Sequence, residues 1–366
     1  MTGGARQGVR VVIAGGGTGG HLFPGIAVAR SLMARAAGTT VTFAGTAQGI
    51  EARVLPREQL TLDVIRSAGL KGKSLGALAR GVALVPVSAL DAWQVLTHRA
   101  PDVVVGVGGY SSGPVVGLAA LRRIPTLVLE QNAMPGLANR VLARFVDAAA
   151  LTYDEARPWF GERAFMSGNP VRDGFRAIAA DAPRREGPQR LLVFGGSQGA
   201  QAINRAMVAA APRLKAAGVA ITHQTGERDL EVVRQGYAQA GLEARVEPFL
   251  HAMEREMADA DLVVARAGAT TIAELTVAGR AAVLVPLPTA TDDHQRKNAE
   301  ALARLGAVEV LLQANLDGEG LAARITTLLA SPERLHEMRR AARAAARPDA
   351  ADVIADRVLA LARRQG

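Results

Sequence analysis

Two short apolar runs, each ending in a cluster of glycines, constrain the fold of this chain more than any other feature. The first is Val11-Val12-Ile13-Ala14-Gly15-Gly16-Gly17 and the second is Leu191-Leu192-Val193-Phe194-Gly195-Gly196-Ser197. Neither run alternates apolar with polar residues, so neither suits a strand with one wet face. A strand buried on both faces does fit, and such strands belong to parallel sheets covered by helices. Strand-forming runs occur at Val9–Ala14, Val41–Ala44, Val103–Val107, Thr126–Glu130, Leu191–Phe194, Leu262–Ala265 and Ala282–Pro286. Helical patterns such as Gly25–Ala36, Gly199–Ala217 and Thr270–Ala278 lie between them. The fold class is α/β, doubly wound.

The repeated opening sets the domain organisation. At about 150 residues per domain, 366 residues make two or three units. Ser167-Gly168-Asn169-Pro170 is turn chemistry, and Ala179 to Gln189 is polar and punctuated by proline. Two Rossmann-like domains are expected, residues 1–168 and 169–348. An amphipathic helix at about 349–366 is expected to pack back on the first.

Composition excludes several function classes. The chain has no cysteine, which removes a disulfide framework, a thiolate nucleophile and any Cys-ligated metal site. Val11 to Ala29 and Val103 to Leu121 carry no charge, but glycine clusters and Pro24 or Pro114 interrupt them. A signal sequence or membrane span would not be broken in that way, so a soluble intracellular chain is expected, with any membrane contact peripheral. The net charge of +9 favours an anionic partner: nucleic acid, a membrane face or phosphorylated substrates. Only 4% of residues are aromatic and the basic residues are dispersed along helices, which argues against nucleic acid.

Gly15 to Gly20 contains the spacing G-x-G-x-x-G after a strand, where backbone N–H groups and a helix N-terminus carrying about +0.5 charge meet an anion. A dinucleotide site would also place an acid at the end of the second strand, and Phe43-Ala44-Gly45-Thr46 has none. Gly195-Gly196-Ser197-Gln198-Gly199-Ala200 either caps a helix or binds a phosphate, and no P-loop Gly-Lys-Ser/Thr follows either loop. Arg266 to Glu274 runs from a strand into a helix. Glu274 there either accepts both hydroxyls of a ribose or answers the helix dipole. The loop Pro288 to Asn298 is polar and follows a buried strand, a usual place for substrate contacts. The six histidines are scattered, and Asp259-Ala260-Asp261 reads as a solvated turn, so no metal site is expected.

Taken together, Gly16-Gly17-Thr18-Gly19-Gly20-His21, Gly108-Gly109-Tyr110, Glu130-Gln131-Asn132, Gly168 to Arg172, Gly195 to Ala200 and Gly268 to Glu274 resemble, in order, the motifs of the MurG family. These are peptidoglycan N-acetylglucosaminyltransferases, and the likeness runs from residue 11 to about 305. It implies the GT-B fold, two Rossmann-like domains facing across a cleft. It also implies an inverting transfer of GlcNAc from UDP-GlcNAc to the 4-hydroxyl of MurNAc in a polyprenyl-pyrophosphoryl acceptor (lipid I to lipid II). A second enzyme on the same fold, a lipid glycosyltransferase or a UDP-GlcNAc 2-epimerase, is the alternative. So is a nucleotide-sugar-binding protein without turnover.

Carried over by position, the resemblance implies that Ser197 faces the nucleotide diphosphate, with Ala269, Thr270, Thr271, Ile272 and Ala273 lining the donor site before Glu274 on the ribose. Leu250 offers backbone groups to uracil, Arg172 lies on the nucleotide side, and Asn132 and Gln295 bond the donor sugar. Thr18, Gly19 and Gly20 line donor and acceptor phosphates. His21 is the candidate base, since a free imidazole titrates near about pH 6.5, or else a ligand of the acceptor pyrophosphate. No cofactor is implied. The partners implied are UDP-GlcNAc, lipid I, an anionic membrane surface and other cell-wall synthesis proteins, at the cytoplasmic face of the bacterial cell membrane. Leu70 to Leu75 with Lys71 and Lys73, then Leu78, Arg80, Val82, Leu84 and Trp93, either docks on lipid or forms an ordinary half-buried helix.

Overall fold

The structure, a computed structural model, describes residues 8–67, 84–178, 187–196, 199–290 and 293–363. The chain forms two compact units: one runs to Arg172 and resumes at Asp349, the other is Asp173–Pro348. The first unit holds β1 (Arg10–Gly15), α1 (Gly19–Arg35), β2 (Thr40–Gly45), α2 (Glu51–Val54), β3 (Thr61–Val64), α3 (Val85–Arg99), β4 (Val103–Gly108), α4 (Ser112–Leu121), β5 (Thr126–Glu130), α5 (Leu137–Leu142), β6 (Ala148–Leu151) and β7 (Ala164–Met166). The second holds β8 (Arg190–Phe194), α6 (Gln201–Ala216), β9 (Ala220–Gln224), α7 (Leu230–Gln239), β10 (Ala244–Glu247), α8 (Met253–Asp259), β11 (Leu262–Ala265), α9 (Ala269–Ala278), β12 (Ala282–Leu284), α10 (His294–Arg304), β13 (Val308–Val310), α11 (Gly318–Leu329) and α12 (Pro332–Ala344). The last helix, α13 (Ala350–Arg363), belongs to the first unit.

Both sheets are parallel. Their strand orders are β3-β2-β1-β4-β5-β6-β7 and β10-β9-β8-β11-β12-β13. In each, the order reverses beside the strand that opens the unit, between β1 and β4 and between β8 and β11. Ligands of open α/β sheets bind at that reversal, outside the carboxyl ends of the strands.

The non-alternating apolar runs are explained by burial on both faces. Val11 and Ile13 enter one apolar layer with Val103, Val105, Leu127 and α1, whereas Val12 and Ala14 enter another with Val104, Val128 and α4. In the second unit Leu191, Val193, Leu262, Val264 and Val283 pack under α6 and α11. Helix α13 inserts Ile354, Ala355 and Val358 into the layer that holds Leu22, Ile26 and Leu32. Ser31 and Arg35 of α1 bond Asp352 and Asp356 along its edge.

Two local features differ from the sequence reading. Helix α1 begins at Gly19, not Gly25, because the chain leaves the positive-φ region after Gly17 and Thr18 already acts as an extended N-cap residue. Pro24 therefore sits inside the helix, where it lacks the N–H that would bond the carbonyl of Gly20. The strands β3, β6, β7, β9, β10 and β13 were not apparent. Ala148-Ala149-Ala150-Leu151, for example, has helical propensity, and its buried place between β5 and β7 overrides it. No helix among the described residues is long and apolar enough to cross a membrane.

Candidate active site

Gly15, Gly16 and Gly17 turn the chain out of β1 with φ of +140°, +145° and +83°. Side chains at Gly15 or Gly109 would collide with the backbone of the other turn. A Cβ on Gly109 would stand 2.5 Å from the Gly16 carbonyl, and one on Gly15 would strike that of Gly108. Gly16 N–H donates to the Gly108 carbonyl at 3.2 Å. The turns after β1 and β4 are thus in backbone contact at the reversal of strand order, which only glycine allows.

Gly108 also leaves room for an imidazole. A Cβ there would lie 2.6 Å from His21 Nδ1, so the ring packs on the bare face of that glycine. His21 is the third residue of α1, and its N–H and that of Leu22 donate to the Thr18 carbonyl. Thr18 and Gly20 are exposed and Gly19 is half-buried. The Arg172 guanidinium stacks 4.5 Å over the ring of Phe23 on the same helix. The first unit therefore gathers Thr18, Gly19, Gly20, His21 and Arg172 around one helix start.

At the end of β5, the buried Glu130 accepts from Asn132 N–H at 3.0 Å, Gly136 N–H at 3.1 Å and Asn139 Nδ2 at 2.8 Å. Burial pushes its carboxyl above the usual carboxylate range, and these bonds oppose the shift. They shape the loop that presents Asn132. Gln131 Nε2 donates to the Val107 carbonyl at 2.9 Å and ties that loop to the outlet of β4. The sequence reading gave Glu130 no role. It also passed over Glu51, which is fully buried and accepts from Gly17 N–H and Thr46 N–H, both at 2.7 Å. Its partners lie 34 and 5 residues away, so no local pattern marks it.

The second unit secures its glycine turn from β9. Gln224 Nε2 donates to the Gly196 carbonyl at 2.9 Å, and Gly199, at φ +75°, packs against the Thr225 carbonyl. Asn204 Nδ2 bonds that same carbonyl at 3.0 Å and Asp229 at 2.8 Å, leaving Asn204 Oδ1 to face His223 Nε2 at 3.1 Å. His223 therefore carries its proton on Nε2 and accepts at Nδ1 from the Tyr237 hydroxyl at 2.8 Å. Burial drives its pKa down to about 3. Ser197 lies outside the described residues.

Helix α9 starts from Gly268, so Ala269 to Ala273 form its first turns and Glu274, 6% exposed, follows in the second. Arg266, just before, donates to the carbonyls of Val285 and Pro286 and to Gln313 Oε1. It fixes the chain leaving β12. Gln295 Oε1 accepts from Leu287 N–H at 3.0 Å on the same stretch. Leu250 is buried just after β10. Leu250, the start of α9 and Gln295 thus all follow carboxyl ends of strands, at β10, β11 and β12. Asp261 bonds Arg190 N–H and Arg339, and Asp259 pairs with Arg190, so the Asp-Ala-Asp segment joins β8 and α12 and is not simply solvated. No group of three metal-ligating side chains occurs among the described residues.

Two parallel doubly wound units, each with a glycine turn at its strand-order reversal and polar groups at the strand outlets, define a nucleotide-handling α/β enzyme of GT-B type. The chain belongs to glycosyltransferase family 28. Residues 11–151 match the glycosyltransferase family 28 N-terminal domain and residues 190–354 match the C-terminal domain. A relative from Anaeromyxobacter sp. (strain Fw109-5) is 48% identical over 98% of this chain and 94% of its own. One from Pelobacter propionicus is 47% identical over 96% and 99%. Both are named UDP-N-acetylglucosamine--N-acetylmuramyl-(pentapeptide) pyrophosphoryl-undecaprenol N-acetylglucosamine transferase. Among solved structures, Acinetobacter baumannii MurG aligns with a TM-score of 0.74 at 32% identity, covering 96% of this chain and 99% of that one. A UDP-GlcNAc 2-epimerase from Neisseria meningitidis shares the fold, with a TM-score of 0.68 at 14% identity over 96% and 99%.

Proposed function

We infer that this chain is an inverting N-acetylglucosaminyltransferase that moves GlcNAc from UDP-GlcNAc to the 4-hydroxyl of MurNAc in undecaprenyl-pyrophosphoryl-MurNAc-pentapeptide. The observation that carries it is the near-full-length match to transferases named for this reaction. The acceptor oxygen forms a bond to the anomeric carbon as the bond from that carbon to the phosphate oxygen breaks. UDP leaves with the electron pair, and the hydroxyl proton goes to a base.

The side chains divide between these tasks. Glu274 takes the ribose hydroxyls, the first turns of α9 and the Ser197 loop face the leaving diphosphate, and the backbone at Leu250 reads uracil. Gln295, whose carbonyl oxygen is held by Leu287, presents its amide NH₂ to the donor sugar. Asn132 turns its NH₂ toward Glu130, so its carbonyl oxygen serves the sugar. Arg172, stacked on Phe23, adds positive charge beside the start of α1. Thr18, Gly19 and Gly20 meet the acceptor phosphates, and His21 receives the proton. No metal or cofactor enters this scheme.

The acceptor is a lipid, so the enzyme works at an anionic membrane surface, on the cytoplasmic face and beside other cell-wall synthesis proteins. Of the docking patch that sequence places between Leu70 and Trp93, residues 70–82 lie outside the described residues, and Trp93 is exposed. Further support comes from elsewhere in the first unit. Leu137, Val141 and Phe145 recur every four residues and are all exposed, next to Arg140 and Arg144. Leu90, Trp93 and Leu121 are exposed as well, with Arg122 stacked 4.7 Å over Trp93. Apolar groups edged by arginine suit an anionic bilayer. The deciding experiment is UDP release from UDP-GlcNAc with and without a lipid I analogue. Acceptor-dependent release with a disaccharide product is the expected result. Release without acceptor, or a 2-epimerised sugar, refutes it.

A further inference from the structure

In a dinucleotide-binding loop the second glycine of G-x-G-x-x-G lies against the pyrophosphate, and an acid ending the second strand holds a ribose. In this chain the corresponding places are Gly17 and Thr46, and both are already occupied by a carboxylate of the chain itself. Glu51 Oε2 accepts from Gly17 N–H at 2.7 Å. Its Oε1 accepts from Thr46 N–H at 2.7 Å and from Thr46 Oγ at 2.9 Å. Three glycines make its room: a Cβ on Gly16 would stand 2.6 Å from the carboxyl carbon, one on Gly45 2.8 Å from Cγ, and one on Gly49 would strike the carboxylate. The side chain is fully buried, and no cation among the described residues pairs with it. Such a group is tolerated only because its oxygens receive hydrogen bonds.

The contact continues toward His21. Gly16, held next to Glu51, donates to the Gly108 carbonyl, and Gly108 is the glycine on which the imidazole packs. We propose that Glu51 is a positioning residue for the transfer. It locks the first glycine turn to the outlet of β2 and so sets the start of α1, with Thr18, Gly19, Gly20 and His21, for the acceptor. It also fills the place where a dinucleotide would sit, which reserves this unit for the acceptor and leaves the nucleotide to the other. The role given to Glu51 rests on the acceptor reading of His21 made above.

Glu51→Gln preserves the shape but turns an NH₂ toward one of the donors, so either Gly17 or Thr46 loses its acceptor. Steady-state kinetics of the full chain with UDP-GlcNAc and a lipid I analogue, UDP calorimetry and backbone amide exchange are compared for wild type, Glu51→Gln, Glu51→Asp and Thr46→Val. In Glu51→Gln, kcat/KM for the acceptor falls at least about tenfold while UDP affinity stays within about twofold. Amide exchange rises across residues 16–22 and is unchanged across 190–196. Glu51→Asp, which keeps the charge one methylene short, recovers part of the loss, and Thr46→Val, missing one donor, shows a smaller loss of the same kind. Wild-type kinetics and exchange in Glu51→Gln overturn the proposal. So does a fall in turnover and UDP affinity together, in proportion to lost folded protein. If wild type itself releases no UDP with acceptor, the acceptor reading fails, and the exchange comparison still decides whether Glu51 locks the turn.

Discussion

At the scale of single residues, the proposed function gives His21 and Glu274 separable tasks, and kinetics can tell them apart. A base acts only as the proton leaves the acceptor, so its loss belongs in kcat. His21→Ala is expected to lower kcat about 100-fold or more with donor KM within about twofold. Equal losses in both quantities would make His21 a binding group instead. A ribose contact acts in ground and transition state alike. Glu274→Ala is therefore expected to raise donor KM about 10- to 100-fold, the value of a charged hydrogen-bonded contact, with kcat little changed. An unaltered KM would remove Glu274 from the donor site. Both residues stand out as candidates in the sequence because each sits within a short motif at a helix start. Glu51 and Glu130 were not assigned because their roles depend on backbone groups brought close by folding. A buried acid and a surface acid look the same in a string of letters.

At the scale of elements, the two glycine turns are secured with opposite polarity. A carboxylate, Glu51, receives an N–H of the first turn, whereas an amide, Gln224, donates to a carbonyl of the second. The first arrangement uses a backbone donor of its turn, whereas the second uses a backbone acceptor, the Gly196 carbonyl, which also receives the Gly199 N–H at 2.9 Å. The chain from Tyr237 through His223 and Asn204 to Thr225 stiffens that second turn and gives it a pH dependence. His223 titrates near about 6.5 when unfolded and at about 3 when folded, so the unfolded chain binds more protons between those values. Its contribution is fully present above pH 6.5 or so and is lost as pH falls towards 3. The second unit should lose about 2 kcal/mol of stability between pH 7.5 and pH 5 through this residue. Thermal unfolding of wild type and His223→Gln over that range checks it, and a slope that the substitution leaves unchanged would exclude His223 as the source. The opening strands of each unit were readable because burial on both faces writes a continuous apolar run. Strands such as β6, made of alanine, and β9, with His223 and Gln224 buried, carry no such mark.

At the scale of the molecule, the charge of +9 leaves the choice of anionic partner open, and the proposed membrane contact rests on the placement of apolar residues. Exposed apolar side chains scattered singly need no explanation, but Leu137, Val141 and Phe145 are all exposed at four-residue spacing, with Arg140 and Arg144 next to them in the chain. A nucleic-acid surface would pair its arginines with polar groups and stacking rings, whereas a bilayer rewards buried apolar area together with cationic charge. Each basic residue near an anionic surface contributes about 1 kcal/mol, so a few arginines beside an inserted stripe suffice for reversible docking. Co-sedimentation should therefore be strong with vesicles containing phosphatidylglycerol and weak with neutral phosphatidylcholine vesicles, and should fall as salt is raised. Replacing Val141 and Phe145 by serine should cut binding to the anionic vesicles severalfold, since each removes apolar area from the bilayer contact. Turnover of a short-chain, water-soluble acceptor should not change, because neither Val141 nor Phe145 belongs to the residues assigned to donor or acceptor. Equal sedimentation with both lipids would refute an anionic membrane surface as the partner, and a double variant that binds as wild type does would exclude this stripe as the contact.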